Sequence, residues 1–309
     1  LCLSIFFIIC FLRQKIIFNS SYYFFFFTLF LLFILIFFGT ESAGSKRWLD
    51  LGLFTIQPSE ISKIGLVLAL SRYYNDFKQV KNSSILKIII PVLMILLPFY
   101  LIIKQPDLGT GLLLLFIGLS IIFISGISFT LILFGTLLSS FAIPLIWGQL
   151  YDYQKRRILT FLNPESDPLG SGYHIAQSKI AIGSGGFFGK GYMDGSQSQL
   201  QFIPEIHTDF IFSIFSEEFG FFGSCIIILL YTTIIFYGLL QCLKTENYYN
   251  KLVIFGLTIN IFFYFIVNIS MVIGLLPVVG VPLPLVSFGG SSMLATMISL
   301  SIIMCLKKK

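Results

Sequence analysis

The sequence predicts an all-α polytopic membrane protein, a bundle of apolar helices that cross a lipid bilayer. Hydrophobic residues occupy 56% of the 309 positions and charged residues only 11%, whereas an average soluble domain carries roughly 25% charged residues. Several apolar runs approach or exceed the ~20 residues that a helix needs to cross a bilayer. We therefore treat residues 1–309 as a single transmembrane domain, with the polar segment 148–209 as a large extracytoplasmic loop within it.

The apolar runs predict the helices in chain order. Residues 1–12 resemble the end of a spanning helix. The chain begins inside this run without a methionine, so we expect either a missing N-terminal piece or an unusual start. The 210–243 run is longer than a bilayer requires and is expected to tilt or to project beyond it. The complete spans are predicted at 22–38, 60–74, 85–103, 111–125, 128–147, 210–243, 252–275 and 285–306.

The distribution of lysine and arginine predicts the orientation. If the 12–21 connection is cytoplasmic, eleven basic residues fall in cytoplasmic short loops and flanks, and three fall in the short loops of the opposite side. Positive charge is retained on the cytoplasmic side of a membrane, and long loops escape this rule. The 39–59 loop, the 148–209 loop and Asp209 are therefore expected outside, and the C-terminus in the cytoplasm.

Charge and cysteine usage exclude several classes of function. The net charge is +6, but the basic residues lie mostly between the apolar runs, which suits membrane lipids and not nucleic acid. The five cysteines lie in or beside apolar runs without a CxxC pair, so we expect neither a disulfide framework nor a zinc site. His174 and His207 are too few to argue for a metal centre.

Two ionisable residues lie inside a predicted span. Glu60 and Lys63 belong to the segment QPSEISK and share a helix face because they are three residues apart. Ionisable residues inside a membrane are costly and tend to face a polar cavity, which marks a functional site. A buried pair that only fixes helix packing is the alternative. Asp107, in KQPDLGTG, is expected to cap the helix that follows it.

The long loop combines glycine with positive charge. Seven glycines between Gly170 and Gly191 allow sharp turns that bring backbone N–H groups close to a ligand. Basic side chains beside them would suit a pyrophosphate, although neutralising anionic lipid headgroups is an alternative explanation. These basic residues are Arg156, Arg157, Lys179 and Lys190.

Asp209 opens the 210–243 span and is the candidate general base. Desolvation at a membrane surface raises the pKa of a carboxylate towards the range that suits general-base catalysis. An aspartate that only caps the helix is the alternative. Glu217 and Glu218 lie deeper in the same run, and at least one of them is expected either to have a partner or to be protonated. The three prolines between Asn268 and Met293 predict a non-helical or re-entrant segment.

The chain resembles the SEDS family of bacterial cell-wall polymerases. The likeness is greater to its rod-shape-determining (RodA) branch than to the division-specific FtsW branch, and SpoVE is a further relative. The matching motifs occur in the family's order between Gly44 and Met293. They are GSKRWLDLG, QPSEISK, QPDLGTG, NPESDPLGSGYHIAQSKIAIGSGG, GSQSQLQFIPEIHTDFIFSIFSEEFGFFG and NISMVIGLLPVVGVPLPLVSFGG.

This resemblance implies a fold and an activity. The family fold has ten transmembrane helices, of which about nine are represented here, with a large extracytoplasmic loop before the HTDF helix. The activity implied is that of a peptidoglycan glycosyltransferase, which polymerises lipid II on the outer face of the bacterial cytoplasmic membrane during elongation and releases undecaprenyl pyrophosphate. By similarity, Asp209 is the essential acid. Arg47 and Trp48 match functional outer-loop residues, and Glu60 and Lys63 match a polar pair in the cavity.

The resemblance also implies partners. These are a class B penicillin-binding protein, whose transpeptidase cross-links the new strand, the nascent glycan strand, the elongation machinery and membrane lipids. No cofactor is predicted, and a divalent cation at the pyrophosphate is an open alternative. Two other functions compete with the polymerase, namely a flippase that moves lipid II across the membrane and a non-enzymatic scaffold for a penicillin-binding protein.

Overall fold

The described part of the chain is mainly helical and contains one small sheet. The computed structural model describes residues 2–42, 45–50, 52, 55–77, 86–126, 147–148, 151–163, 170–195 and 208–307. The predicted all-α class is confirmed within these ranges. The main helices are α1 (Cys2–Cys10), α2 (Gln14–Phe38), α3 (Pro58–Phe77), α4 (Leu86–Lys104), α5 (Leu108–Ile124), α6 (Asp152–Leu162), α7 (Ser171–Ser184), α8 (Ile211–Lys244), α9 (Tyr248–Val272) and α10 (Gly290–Leu306).

Several helices have the length and composition of membrane spans. α2, α8 and α9 are long and apolar enough to cross a bilayer, with mean hydropathies of 2.4, 2.2 and 2.2 over their most apolar windows. Most of α4, together with α5 and α10, forms shorter apolar helices. The chain is therefore a multi-pass membrane protein. The predicted span at 128–147 lies, apart from Trp147, outside the described residues.

The largest errors in the predicted boundaries are at the beginnings of two helices. The 12–21 segment was expected to be a connection, but α2 begins at Gln14, and the polar Ser21 within it is buried and hydrogen-bonded. The buried hydroxyl of Ser21 bonds to the carbonyl oxygen of Ile17 at 2.9 Å and to the hydroxyl of Tyr249 at 2.8 Å. The last helix begins at Gly290 and not at residue 285, since the preceding prolines cannot extend a helix.

Packing divides the chain into two compact units. The first contains Leu1–Leu137, Ile235–Ile261 and Gly290–Lys309, and the second contains Leu138–Ile234 and Phe262–Gly289. In the first unit α3 is central, since it packs against α2, α4, α5 and α10. Its Ile64, Leu66 and Val67 are fully buried.

The first unit also contains a small antiparallel sheet. Its strands β1 (Thr40–Ser42), β2 (Ser45–Asp50) and β3 (Thr55–Ile56) follow one another in space as in sequence. Thr40 pairs with Trp48, and Leu49 pairs with Ile56. The motif GSKRWLDLG, which we did not assign to a strand, thus presents Arg47 and Trp48 from β2.

In the second unit, α8 is interrupted at Gly220, whose φ of 66° and ψ of −163° are not helical. The backbone groups that the interruption leaves unpaired bond to the turn that follows α7, residues 185–191, which we call the glycine turn. The amides of Lys190 and Gly191 donate to the carbonyl oxygens of Glu217 (3.0 Å) and Glu218 (3.1 Å), and the amides of Phe221 and Phe222 donate to those of Gly186 (2.9 Å) and Phe187 (3.1 Å).

The close approach of these two backbones explains the glycines. A methyl group on Gly185 would lie 2.1 Å from the carbonyl oxygen of Ser216, and one on Gly189 would lie 2.0 Å from that of Glu218. We expected N–H groups of this segment to face a ligand. Instead, the amides of Lys190 and Gly191 are bonded to α8, so these amides hold the unit together.

We predict that Gly189→Ala destabilises the protein while Gly183→Ala does not. Gly189 has a φ of +83° and no room for a methyl group, so the change should cost about 2–4 kcal/mol of unfolding free energy. A methyl group on Gly183, at the end of α7, would contact nothing within 4 Å, and that change should gain roughly 0.5 kcal/mol. Thermal unfolding in detergent measures the stability of both variants. Equal unfolding midpoints for Gly189→Ala and Gly183→Ala would contradict the prediction.

Candidate functional site

Asp209 lies in a turn, residues 208–210, immediately before α8 begins at Ile211. Phe210 is buried beside it and Asp209 itself is partly exposed. The hydroxyl of Ser213 donates to the carbonyl oxygen of Phe210 at 2.6 Å, which fixes the turn to the first residues of the helix. The carboxylate is therefore carried at a helix N-terminus, where the helix dipole favours negative charge.

The segment between α9 and α10, residues 273–289, packs around this turn, and we call it the proline loop. Asn268, near the end of α9, donates from Nδ2 to the carbonyl oxygens of Asp209 (2.9 Å) and Val281 (2.7 Å). Ser287 donates to the carbonyl oxygen of Thr208 at 2.6 Å. The expectation that this proline-containing stretch is non-helical is confirmed for residues 273–289, whereas Asn268 is still in α9.

Gly280 brings the proline loop up to the carboxylate. A methyl group built on Gly280 would lie 3.3 Å from Oδ2 of Asp209. The φ of this glycine is +77°, a conformation that other residues rarely adopt. The backbone conformation therefore favours glycine here, and the nearby acid leaves little room for a side chain.

Two of the predicted basic residues contact the same loop. Arg157 of α6 donates to the carbonyl oxygen of Val279 at 3.4 Å, next to Gly280. Lys179 of α7 lies against Gly274, at the beginning of the loop. Asp209, Arg157 and Lys179 are thus arranged along one loop of the second unit. Arg156 follows Lys155 in α6 and is exposed.

Lys190 has a different environment. Its ammonium lies 2.7 Å from Oε1 of Glu217, whose side chain is completely buried. Ser184 also approaches this carboxylate, at 3.4 Å. The prediction that Glu217 or Glu218 has a partner is confirmed, and the pair lies where the glycine turn meets α8.

In the first unit, Glu60 and Lys63 form the predicted ion pair. Nζ of Lys63 lies 2.8 Å from Oε1 of Glu60, and only 1% of the lysine side chain is exposed. Both residues lie in the first turns of α3, which begins at Pro58, two residues before the predicted span.

Asp107 is more than the helix cap that its position predicted. It caps α5 by accepting from the amide of Thr110 at 3.4 Å, so that prediction is confirmed. Its carboxylate also lies 3.9 Å from Nη1 of Arg47 and accepts from Nε2 of Gln57 at 3.3 Å. Arg47 donates in addition to the carbonyl oxygen of Pro106. Asp107 thus connects β2, the beginning of α3 and α5.

The predicted site residues therefore fall into two groups. Arg47, Trp48, Glu60 and Lys63 belong to the first unit, and Asp209, Arg156, Arg157, Lys179 and Lys190 belong to the second. The sequence reasoning missed the contacts of Asn268, Ser287 and Gly280 with the Asp209 turn. An asparagine inside an apolar helix was the available signal, because a buried amide needs partners.

Comparison with known proteins identifies the family. A family model described as "Cell cycle protein", covering FtsW, RodA and SpoVE, matches residues 1–309. The chain belongs to the FtsW/RodA/SpoVE family. The resemblance drawn from the motifs is thereby confirmed.

Members of the family with similar sequences are named as cell-wall enzymes. The chain is 47% identical to peptidoglycan glycosyltransferase MrdB of Escherichia coli (strain K12) over 268 residues, which are 86% of this chain and 72% of that protein. It is 36% identical to stage V sporulation protein E of Bacillus subtilis (strain 168), over 84% of this chain and 71% of that protein.

Solved structures of the family share the fold. One chain of a peptidoglycan synthase complex that coordinates polymerization and crosslinking superposes with a TM-score of 0.86 at 29% identity, covering 99% of this chain and 86% of that one. RodA of Thermus thermophilus superposes with a TM-score of 0.73 at 27% identity, over 99% and 83% of the two chains.

The buried pair in α3 generates a stability prediction. Glu60→Gln or Lys63→Met alone leaves an uncompensated charge in the interior and should cost about 3–5 kcal/mol of unfolding free energy. The double variant Glu60→Gln/Lys63→Met removes both charges and should recover most of that loss. Unfolding midpoints of the three variants in detergent measure this coupling. Additive losses in the double variant would show that the two charges do not stabilise one another.

Proposed function

We propose that this chain is a peptidoglycan glycosyltransferase that polymerises lipid II into glycan strands during cell elongation and rod-shape maintenance. The observation that carries the proposal is the 47% identity to a named peptidoglycan glycosyltransferase over 86% of the chain. The likeness to a chain of a peptidoglycan synthase complex supports it. The local geometry supplies a partly exposed acid on a fixed turn, with basic side chains along the same loop.

Asp209 acts in this proposal as the general base. Its carboxylate accepts the proton of the acceptor sugar's 4-hydroxyl as that oxygen forms a bond to the anomeric carbon of the donor. The bond from that carbon to the pyrophosphate breaks, and undecaprenyl pyrophosphate leaves with the bonding electrons. The pyrophosphate is already a good leaving group, so one base and positive charge suffice.

The basic residues of the second unit are not equivalent as pyrophosphate ligands. Lys190 is paired with Glu217, and Arg157 donates to the loop carbonyl of Val279. Arg156 and Lys179 are exposed and form no ion pair within the part of the chain that the structure describes. We therefore assign the principal pyrophosphate contacts to Arg156 and Lys179, with Arg157 and Lys190 orienting the segments that carry them.

The site residues of the first unit are proposed to bind substrate as a separate group. Arg47 and Trp48 are presented by β2, and Trp48 is half-buried. We propose that the indole stacks on a sugar ring, since aromatic faces suit the apolar face of a sugar. We also propose that Arg47, whose charge is offset by Asp107, donates hydrogen bonds to the lipid-linked substrate. Glu60 and Lys63 are proposed to hydrogen-bond a substrate while keeping their combined charge neutral.

The proposed location follows from the charge asymmetry of the sequence. The enzyme spans the bacterial cytoplasmic (inner) membrane several times, with Asp209 on the outer side and the C-terminus in the cytoplasm. The proposed partner is a class B penicillin-binding protein, because a polymerised strand must be cross-linked by a transpeptidase. A divalent cation at the pyrophosphate is tested by adding a chelator to the assay.

We predict that Asp209→Ala and Asp209→Asn abolish polymerisation. Loss of a general base should lower turnover by at least about 10²-fold. The assay follows glycan length from lipid II, with the protein purified in detergent together with its penicillin-binding partner. Asp152→Ala removes an exposed carboxylate of α6 in the same unit and should retain wild-type turnover.

Two results would overturn this assignment. Unchanged glycan length with Asp209→Ala would exclude the carboxylate as the base. Movement of labelled lipid II across proteoliposomes, insensitive to Asp209→Ala and without polymerisation, would favour the flippase.

We further predict that Arg156→Ala raises the KM for lipid II more than it lowers kcat. Loss of one exposed charge-assisted contact should raise KM about 3–10-fold, with a larger effect at low ionic strength. Lys155→Ala, one position earlier in α6, is the matched control for loss of a positive charge and should change KM little. Equal effects of the two substitutions would show that only the overall charge of the segment matters.

A further inference from the structure

The main chain of the turn that contains Asp209 is hydrogen-bonded by side chains that are distant in sequence. Asn268 is 59 residues away in sequence, and its amide bonds both to Asp209 and to the proline loop. Ser287, 79 residues from Thr208, accepts from the amide of Leu283 at 2.7 Å while donating to the carbonyl oxygen of Thr208. The two side chains therefore connect the proline loop to consecutive residues of the turn.

From this arrangement we infer that Asn268 and Ser287 are positioning residues that place the carboxylate of Asp209. They bond to the main chain of the turn, so they act on catalysis through Asp209. This inference rests on the proposed function, in which Asp209 is the base. It adds two residues whose role is separate from substrate binding and from proton transfer.

The burial of Asn268 supports a specific role for its amide donors. The residue is completely buried, and its Oδ1 has no hydrogen-bond partner within the described residues. An apolar side chain at this position of α9 would avoid burying that unpaired oxygen. Asparagine is therefore explained by its two hydrogen bonds, in which Nδ2 links the carbonyl oxygen of Asp209 to that of Val281.

The position of Gly280 makes the arrangement sensitive to small shifts. Because this glycine lies next to the carboxylate of Asp209, moving the proline loop relative to the turn changes the space around the acid. Asn268 bonds to Val281, the residue after Gly280. A misplacement of the reacting groups by ~1 Å costs on the order of 10² in rate, so loss of either connection should lower turnover without removing a substrate contact.

The test compares matched variants in the polymerisation assay with the penicillin-binding partner present. Asn268→Leu should lower kcat on the order of 10²-fold while the KM for lipid II stays near the wild-type value. Ser287→Ala should lower kcat about tenfold, and Ser287→Thr should retain most of the turnover because it keeps the hydroxyl. Asn260→Leu is the control, since Asn260 is a second buried asparagine of α9, eight residues earlier.

Thermal unfolding of each variant separates positioning from general stability. We expect Asn260→Leu to keep wild-type turnover, even if its thermal-unfolding midpoint is lowered as much as that of Asn268→Leu. If Asn268→Leu does not fold, the Ser287→Ala and Ser287→Thr pair decides. The inference is overturned if folded Asn268→Leu or Ser287→Ala keeps kcat within about twofold of wild type, or if turnover follows the midpoint in all variants. Failure of the proposed function is distinguishable, since it would appear as an inactive wild type or an active Asp209→Ala.

Discussion

The hydrogen bonds that α8 exchanges with the glycine turn are the constraint on which the second unit depends. A carbonyl group left unpaired in a bilayer costs several kcal/mol, so a helix can be interrupted at Gly220 only if another segment supplies donors. The amides of Lys190 and Gly191 supply them, and the carbonyl oxygens of Gly186 and Phe187 accept from the amides beyond the interruption, which fixes the end of α7 against α8. The short helical piece that follows Asp209 is thereby anchored at its far end, and the Lys190–Glu217 pair adds a charge interaction at the same junction.

The helices could be predicted from apolar runs, but the interruption of α8 could not. Runs such as those of α4 and α5 carry enough hydropathy to reveal a span on their own. Gly220 and Gly223 lie in the same apolar sequence, yet only Gly220 leaves the helical conformation. The difference arises from contacts with Phe187 and Gly189, some thirty residues earlier in the chain, which no local pattern encodes. The same reason explains the wrong start of α2, where the polar Ser21 is satisfied by the distant Tyr249.

In the candidate site, contacts within one helix could be predicted from residue spacing. Contacts between segments that are distant in sequence could not. The pairing of Glu60 with Lys63 follows from helical periodicity, and it is present. Asp107 was predicted as a cap, but its contacts with Arg47 and Gln57 join three elements. Likewise, the motif that contains Asn268 could be recognised in the sequence. Nothing in the sequence indicated that the side chain of Asn268 bonds to the turn of Asp209.

The distribution of charge bears on how an anionic product would be held. Glu60 with Lys63, Arg47 with Asp107, and Glu217 with Lys190 are opposite charges placed close together. Such pairing avoids the large cost of isolated buried charge, and for the same reason these pairs offer hydrogen bonds but little net positive charge. Net attraction for a pyrophosphate must then come from exposed cations such as Arg156 and Lys179. Exposed cations bind anions weakly because water and salt screen them, which suits a polymerase that must release undecaprenyl pyrophosphate in every cycle.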